Sequence, residues 1–301
     1  MRHAPVFVIP SLLTFALLGA CTAPPSARTT DGRLRVVAAE SPWGAVAQAV
    51  GGSDVEVTSL VATPNVDPHE YTPTASAAAS VATASLVVEN GLGYDTFMDN
   101  LLSSGSVRPR NVISAAEVLG VSGTGANPHL WYAIDRVPSV ALAIERALVS
   151  VDPAHRSDYE QNLKTFDTSL APTIAVLGRI RHLRPGAPVA ETERVAGYLL
   201  SEAGLKVVSP RQFEAAIESG VEPSAGATSQ MADVLSSRLA EALVLNSQTV
   251  SPVTDRAVAS ARLARVPVVP MSEVVLPVGR SFARWQAEQV DALAHALGVA
   301  P

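Results

Sequence analysis

The sequence predicts an α/β protein of two lobes, each a parallel β-sheet flanked by helices, joined by a single long backbone helix. Short apolar, β-branched segments alternate with longer segments of helical periodicity, first between residues 34 and 103 and again after residue 185. Such alternation is typical of parallel sheets with helices on both faces. A long helical stretch separates the two regions, and a chain of roughly 270 residues after its leader is long enough for two lobes.

The predicted strands are short runs rich in valine, alanine and leucine. They cover Leu34–Ala39, Val55–Val61, Leu86–Glu89, Val189–Ala190, Lys206–Ser209, Leu243–Asn246 and Val266–Met271. The segments between them have helical periodicity. These predicted helices cover Pro42–Val50, Ala75–Ala84, Tyr94–Ser103, Val137–Val151, Arg194–Ala203, Thr228–Glu241, Thr254–Ala264 and Ser281–Leu297.

The connecting helix is predicted over residues 153–183, between lobes at 33–152 and 184–301. Asp152-Pro153 provides a cap followed by proline at the first helical position. Apolar residues then recur every three or four positions, at Leu163, Phe166, Leu170, Ile174, Leu177 and Ile180. Because proline lacks the backbone N–H and clashes with the preceding turn, Pro172 is expected to kink or locally end this helix.

The N-terminus predicts export. Residues 1–20 form a short basic start followed by an apolar run, which is the form of a signal peptide and is short for a membrane span of about 20 residues. Leu18-Gly19-Ala20-Cys21 looks like a bacterial lipoprotein box, which implies that Cys21 carries a lipid anchoring the protein to the cell membrane. The alternative is an ordinary signal peptide with an incidental cysteine. Residues 21–32 then read as the lipidated cysteine and a flexible tether.

Charge and cysteine content argue against nucleic acid as a partner and against cysteine-based sites. The formal net charge is −6 and the chain has no basic run, which argues against nucleic acid as a partner. Cys21 is the single cysteine, so neither an intramolecular disulfide nor a cysteine-rich metal site is expected.

Two Pro-His turns, Asp67-Pro68-His69 and Asn127-Pro128-His129, are the main candidates for a functional site. Each is interpreted as following an apolar, strand-like run. Proline fixes the backbone of such a turn, and a stiffly held imidazole suits a metal site. Glu193 and Glu273 directly follow predicted strands of the second lobe, where ligands bind in open α/β sheets.

Each candidate also has a purely structural interpretation. A single loop histidine is more often a surface or core-edge residue, and Glu193 could simply stabilise the N-terminus of a helix. Glu70 and Glu191 are competing carboxylates near the same loops. Five further residues are interpreted as packing, structural or exposed: Tyr71, Trp131, His155, His182 and His295.

The order of motifs resembles the zinc/manganese family of ABC-transporter solute-binding proteins from about Arg33 to Leu297. The resemblance rests on Asp67–Tyr71 with Pro73, Glu89–Asp95, Asn127–Tyr132, Asp152–His155 with Tyr159 and Asn162, and the closing stretch Val266–Leu297 with Trp285 and Gln289. It implies a divalent metal ion, manganese or zinc, held between two lobes and passed to a membrane permease driven by a cytoplasmic ATPase.

The resemblance also implies which residues bind the metal. His69 and His129 match the family's first two ligands, and Gly197-Tyr198 places the third at Glu193. Zinc-binding members usually have histidine at this third position, whereas manganese-binding members often have glutamate. Glu273 matches the fourth ligand, where the family usually has the shorter aspartate. Oxygen donors favour manganese over zinc, although zinc also accepts such sites.

The sequence therefore predicts an extracytoplasmic, lipid-anchored metal-binding component of an ABC importer. We expect a monomer without enzymatic activity that partners with a cognate permease. Two alternatives stay open at this point: an exported metal-dependent hydrolase using Glu191 or Glu70 as its base, and a surface adhesin with an incidental metal.

Overall fold

The computed structural model describes residues 27–63, 71–104 and 111–301, together with Met1. The predicted signal peptide, Cys21 and the first Pro-His turn with His69 lie outside the described residues. Residues 27–32 of the predicted tether are hydrogen-bonded to the first lobe, since the Ala27 carbonyl accepts bonds from the Arg35 N–H and the Ser85 hydroxyl.

Eight described strands form two four-stranded sheets, and all sheet pairings between these strands are parallel. The strand orders are β2-β1-β3-β4 and β6-β5-β7-β8, so both sheets have the same topology. The strands are β1 (Leu34–Glu40), β2 (Val55–Val61), β3 (Leu86–Glu89), β4 (Asn111–Ser114), β5 (Pro188–Glu191), β6 (Lys206–Val207), β7 (Leu243–Asn246) and β8 (Val268–Met271).

Eleven described α-helices surround the sheets, and short 3₁₀ turns occur at Leu130–Tyr132, Pro153–His155 and Arg194–Ala196, among others. The helices are α1 (Ser41–Gly51), α2 (Ala75–Thr83), α3 (Thr96–Ser104), α4 (Ala115–Leu119), α5 (Val137–Val151), α6 (Arg156–Leu183), α7 (Gly197–Glu202), α8 (Arg211–Glu218), α9 (Ala225–Ser236), α10 (Pro252–Leu263) and α11 (Phe282–Ala296). Within the described residues, no helix is both long enough and apolar enough to span a bilayer.

Alternation along β1 explains why this sheet has helices on both faces. Leu34, Val36 and Ala38 belong to a large core shared with α1, α5 and α6. Val37 and Ala39 point to the opposite face and pack with residues of α2 and α3. Since successive strand side chains alternate between faces, a fully apolar strand must be covered on both sides.

The second sheet follows the same rule, and its inner face joins the large core. Val189 and Val244 lie in the cluster that also contains the buried residues of α6 and α11. Ala190 and Leu243 face the opposite side, in a separate cluster formed with α8, α9 and α10. The two lobes therefore share one continuous apolar core.

The connecting helix α6 runs without a break through Pro172, so the predicted local end at this proline is wrong. Its buried face includes Phe166, Leu170, Leu177 and Ile180, and it packs against α1, α5 and α11. Packing on this face stabilises the helix over its whole length and outweighs the backbone hydrogen bond that proline removes.

The predicted fold class is confirmed, with three elements missed. The sequence interpretation did not include β4, α4 or α8. The second Pro-His turn follows α4 and a loop rather than a strand directly, which corrects that part of the prediction. The boundaries of the lobes at 33–152 and 184–301 stay predictions.

Candidate metal centre

The candidate site lies at the carboxyl ends of the strands of the second lobe. In each sheet, the second strand along the chain lies on one side of the first strand, and the third strand lies on its other side. Ligands bind at such switch points in open α/β sheets. Glu193 follows β5, Asn246 is the last residue of β7, and Glu273 follows β8. His129 comes from the first lobe and reaches this edge across the gap between the lobes.

Asn127 fixes the orientation of His129. The Asn127 side-chain Oδ1 lies 3.0 Å from the His129 backbone N and 2.8 Å from its ring Nδ1. The Asn127 Nδ2 donates to the Arg194 carbonyl over 2.7 Å, so Oδ1 is the acceptor and the ring Nδ1 must be the donor. In the neutral imidazole, the lone pair is therefore on Nε2, which lies 3.2 Å from the Glu273 Oε2.

Glu273 is fully buried and receives donors from both lobes. The Tyr94 hydroxyl donates to its Oε2, and the Asn246 Nδ2 donates to its Oε1 over 2.6 Å. Its backbone N–H donates to the Gln248 Oε1 over 2.6 Å, which fixes the start of the loop after β8.

Glu193 is equally buried but is satisfied on one oxygen only. Its Oε1 accepts bonds from the Asn246 Nδ2 and, over 3.0 Å, from the Thr249 hydroxyl. Its Oε2 has no hydrogen-bond partner among the described residues. A buried carboxylate oxygen without a donor is costly unless a cation or a proton binds there.

Burial sets the protonation behaviour of these groups. Burial, followed by the negative charge of Glu273, raises the pKa of Glu193 to about 7. Burial lowers the pKa of the His129 imidazole, but the hydrogen bond and charge of Glu273, with the charge of Glu193, outweigh it and raise that pKa. The metal-free site therefore retains protons near neutral pH, in the place where a metal ion would supply positive charge.

The loop that carries His129 is attached to the second lobe. The Tyr198 hydroxyl donates to the Asn127 carbonyl over 2.8 Å, and the Arg194 Nη1 donates to the Gly125 carbonyl over 2.9 Å. A Cβ on Gly197 would lie 2.9 Å from the Asn127 Nδ2, so glycine allows this close approach. The Pro-His turn of the first lobe and the Glu193 loop of the second thus form one hydrogen-bonded unit.

Aromatic rings exclude water from the side of the site that faces the first lobe. Tyr94 and Trp131 both pack edge-on against the His129 ring, with centroid distances of 5.7 and 5.6 Å. Behind them, the Trp43 Nε1 donates to Asn90, whose Nδ2 donates to the Pro128 carbonyl over 2.8 Å. The predicted packing role of Trp131 agrees with this arrangement.

The structure brings three of the four predicted ligands to one site. His129 contacts Glu273, and Glu273 shares the Asn246 amide with Glu193. In the part of the chain that is described, no three His, Cys, Asp or Glu side chains are already placed to hold a metal ion together. The fourth predicted ligand, His69, lies outside the described residues.

Sequence reasoning included Asn127 in the predicted Pro-His turn but missed Asn246 and Tyr94 as site residues. Asn246 ends a predicted strand of the second lobe, so its position beside a strand end was an available signal. Tyr94 follows a glycine-containing turn after β3, and its partner Glu273 is 179 positions away in the sequence, so its role depends on how the lobes meet.

Comparison with known families identifies the chain's class. The family model described as "Zinc-uptake complex component A periplasmic" (ZnuA) matches residues 36–296. Because this match covers most of the chain, the chain belongs to that family. The predicted resemblance to solute-binding proteins of metal ABC transporters is confirmed.

The individual relatives share about a quarter of their residues with this chain over the matched regions. The manganese ABC transporter substrate-binding lipoprotein PsaA of Streptococcus pneumoniae is 26% identical over 182 residues, 56% of this chain and 58% of the relative. The manganese-binding lipoprotein MntA of Bacillus subtilis is 28% identical over 163 residues, 52% of this chain and 53% of the relative. The chain thus spans a little over half the length of these curated relatives in the matched regions.

Solved structures share the fold. FpvC of Pseudomonas aeruginosa, solved in complex with Mn²⁺, has a TM-score of 0.72 at 22% identity, covering 88% of this chain and 98% of that one. The periplasmic zinc-binding protein TroA of Treponema pallidum has a TM-score of 0.69 at 22% identity, covering 87% and 98%.

Proposed function

We propose that this protein is the extracytoplasmic metal-binding component of an ABC importer, which captures Mn²⁺ or Zn²⁺ between its lobes and delivers the ion to a membrane permease. One observation carries the proposal. Two fully buried carboxylates from the second lobe and a buried imidazole from the first share one site, and a buried oxygen of Glu193 lacks a donor among the described residues.

The chemistry of these groups fits a divalent cation. The Nε2 lone pair of neutral His129 faces the Glu273 carboxylate, and this contact is favourable only when a proton or a metal ion lies between the two groups. Two carboxylates neutralise a divalent charge in a buried site. Imidazole and carboxylate donors together suit both zinc and manganese.

His69, His129, Glu193 and Glu273 are the proposed ligands. Because the described side chains are not already gathered as a metal-binding group, metal binding should draw them together by small side-chain movements. His69 would complete the set from the first lobe. The family membership supports this assignment, since members of this family are zinc-uptake components.

The proposal extends to location and partner. The relatives PsaA and MntA are named as lipoproteins, which supports a lipid anchor on Cys21 at the outer face of the cell membrane. The partner would be the cognate ABC permease, and the chain would act as a monomer. The relatives described above are transport or metal-binding proteins, and no observation on the described residues favours the hydrolase or adhesin alternatives.

Thermal unfolding with and without metal tests the proposal. The purified protein is stripped of metal by a chelator and titrated with Mn²⁺ and Zn²⁺. Ligand at 1,000 times its Kd should stabilise the fold by about 4 kcal/mol, or roughly 8–16 °C in Tm. His129→Ala and Glu193→Ala should lose this shift.

Matched controls change the same residue types at exposed positions of α6. His182→Ala and Glu160→Ala should keep the full metal-induced shift, since both side chains are exposed on that helix. A wild-type protein that neither metal stabilises would refute metal capture. A shift that survives both site variants would place the metal elsewhere.

A further inference from the structure

The turn between β3 and α3 has a backbone conformation that is rare for residues other than glycine. Gly91, Leu92 and Gly93 all have positive φ angles, of 82°, 59° and 77°. Leucine is strained in this left-handed region, and such strain persists only where the surrounding contacts enforce it. A Cβ on Gly91 would lie 2.7 Å from the Ser114 Oγ, so the turn packs closely against the end of β4.

Asp95 holds this turn in its left-handed conformation. Its Oδ2 accepts the Asn90 N–H over 2.6 Å, and its Oδ1 accepts the Gly91 N–H over 2.9 Å. Asp95 is 4% exposed, and hydrogen bonds to a charged acceptor are stronger than those to a neutral one. Both bonds go to the turn that precedes Asp95 and not to the first turn of α3, which follows it. The carboxylate therefore fixes the turn and does not cap the helix.

Glu40, at the end of β1, keeps Asp95 as the charged acceptor. Glu40 is 1% exposed, and neither of its carboxyl oxygens receives a hydrogen bond from a donor within the described residues. Burial, followed by the charge of Asp95, raises the pKa of Glu40 well above its ordinary value. Glu40 is therefore protonated at neutral pH and donates to Asp95.

The two ends of the turn support different parts of the candidate metal centre. At the first end, the Asn90 Nδ2 donates over 2.8 Å to the carbonyl of Pro128, which directly precedes His129. At the other end, the Tyr94 hydroxyl donates to the Glu273 Oε2. A change in the conformation of the turn would disturb both contacts together.

We propose that Asp95 is a positioning residue for metal binding, which holds the turn at residues 90–94 so that it orients His129 in the first lobe and Glu273 in the second. This inference rests on the proposed function. Without the bonds to Asp95, the strained turn can relax to another conformation, which withdraws its support from both ligands. Loss of a residue that orients metal ligands typically weakens metal binding about 10–100-fold.

Metal titration of the full-length protein in detergent tests the inference. The Kd values for Zn²⁺ and Mn²⁺ are measured by competition for the wild type and for Asp95→Ala, which removes both acceptors. We expect both ions to bind about 10–100-fold more weakly to the variant. Asp152→Ala is the matched control, because Asp152 is also 4% exposed and accepts bonds from the His155 ring and the Tyr159 hydroxyl. It should leave both Kd values unchanged.

A second substitution tests whether Asp95 acts through the turn. Glycine adopts the left-handed region without strain, so Leu92→Gly should favour the native turn even when the bonds to Asp95 are lost. The double variant with Asp95→Ala and Leu92→Gly should therefore bind both ions more tightly than Asp95→Ala alone. All Kd values are compared under conditions where urea unfolding shows that each protein is folded, so that the recovery reports the site and not global stability.

Hydrogen exchange in the wild type gives a measurement that needs no variant. If the closed turn favours metal binding, the bound metal must favour the closed turn by the same factor. Saturating Zn²⁺ should therefore slow exchange of the Asn90 and Gly91 N–H groups about 10–100-fold. This result decides the question even if Asp95→Ala does not fold.

The outcomes separate this inference from the proposed function. Unchanged Kd values in folded Asp95→Ala would overturn the inference, while metal capture would stand. A loss of affinity that Leu92→Gly does not reduce, or exchange of the two N–H groups that Zn²⁺ does not slow, would overturn it in the same way. A wild type that binds neither ion would overturn the proposed function and this inference together.

Discussion

Replacing Glu193 by glutamine should make the metal-free protein more stable above neutral pH, although it removes a proposed metal ligand. Burial and the nearby charge of Glu273 raise the pKa of Glu193 from 4.5 to about 7. The wild type must therefore either retain a proton on this side chain or bury a poorly compensated negative charge.

The sign and size of the effect follow from the two pKa values. Below pH 4.5, Glu193 is protonated in both the folded and the unfolded states. Between pH 4.5 and 7 the unfolded chain releases this proton and the folded chain retains it, so the free energy of unfolding falls as pH rises. At about 1.4 kcal/mol per pH unit, the loss above pH 7 amounts to about 3 kcal/mol.

Glutamine is neutral at every pH and therefore avoids this loss. Its Oε1 can still accept the Asn246 and Thr249 donors, while its new buried NH₂ group costs about 1 kcal/mol if it finds no acceptor. The net gain at pH 8 is about 2 kcal/mol, and at pH 5 the two proteins should be about equally stable. Urea unfolding of metal-free wild type and Glu193→Gln at both pH values measures the difference.

Glu191→Gln is the matched control. Glu191 is also buried, and its Oε2 has no hydrogen-bond partner within the described part of the chain. Burial, followed by the charges of Glu214 and Glu193, raises its pKa well above the ordinary value. Its replacement should also stabilise the protein at pH 8, but it should leave metal binding in place. A Glu193→Gln protein less stable than the wild type at pH 8, with the same pH dependence, would refute the reasoning.

Three further predictions concern the residues that orient His129 and its loop, and the packing of α6. Asn127→Ala removes both bonds that orient His129 and should weaken metal binding about tenfold by calorimetry; unchanged affinity would contradict the positioning role. Arg194→Ala removes the bond to the Gly125 carbonyl and should speed amide hydrogen exchange in residues 123–127; unchanged exchange would show that the loop is held otherwise. Leu170→Ala, in the buried face of α6, should cost about 2–5 kcal/mol in urea unfolding, and a loss below 1 kcal/mol would argue against tight packing there.

The fold was predictable because its central strands are distinctive. A strand buried on both faces, such as β1, must be apolar at consecutive positions, and this requirement is visible in the sequence. The missed β4 has four residues and continues directly into α4, so neither element shows a full period of its own. Pro172 misled the prediction of a local helix end because a helix that is buried along one side can continue where an isolated helix would break. The alternative prediction, a kink at Pro172, stays a prediction.

The site was predictable only in part. Glu193 and Glu273 were candidates because residues after strand ends converge in this fold class, a rule that can be applied to one sequence. Asn246 and Tyr94 gain their roles from partners on other elements. The Tyr94 hydroxyl reaches Glu273 only because the two lobes meet at this edge, and local sequence does not encode that contact.

The contacts that hold the lobes together also limit how a metal ion can enter. Directly after His129, the Tyr132 hydroxyl lies 2.8 Å from the Ser272 carbonyl, and the Gln286 Nε2 donates to the Trp131 carbonyl over 3.0 Å. Both contacts join the first lobe to the second within a continuous core. A wide opening of the lobes would break these buried bonds and expose that core to water. A metal ion should therefore enter by small tilts of the lobes and local loop movement around the site, while α6 keeps the lobes in a fixed relative position.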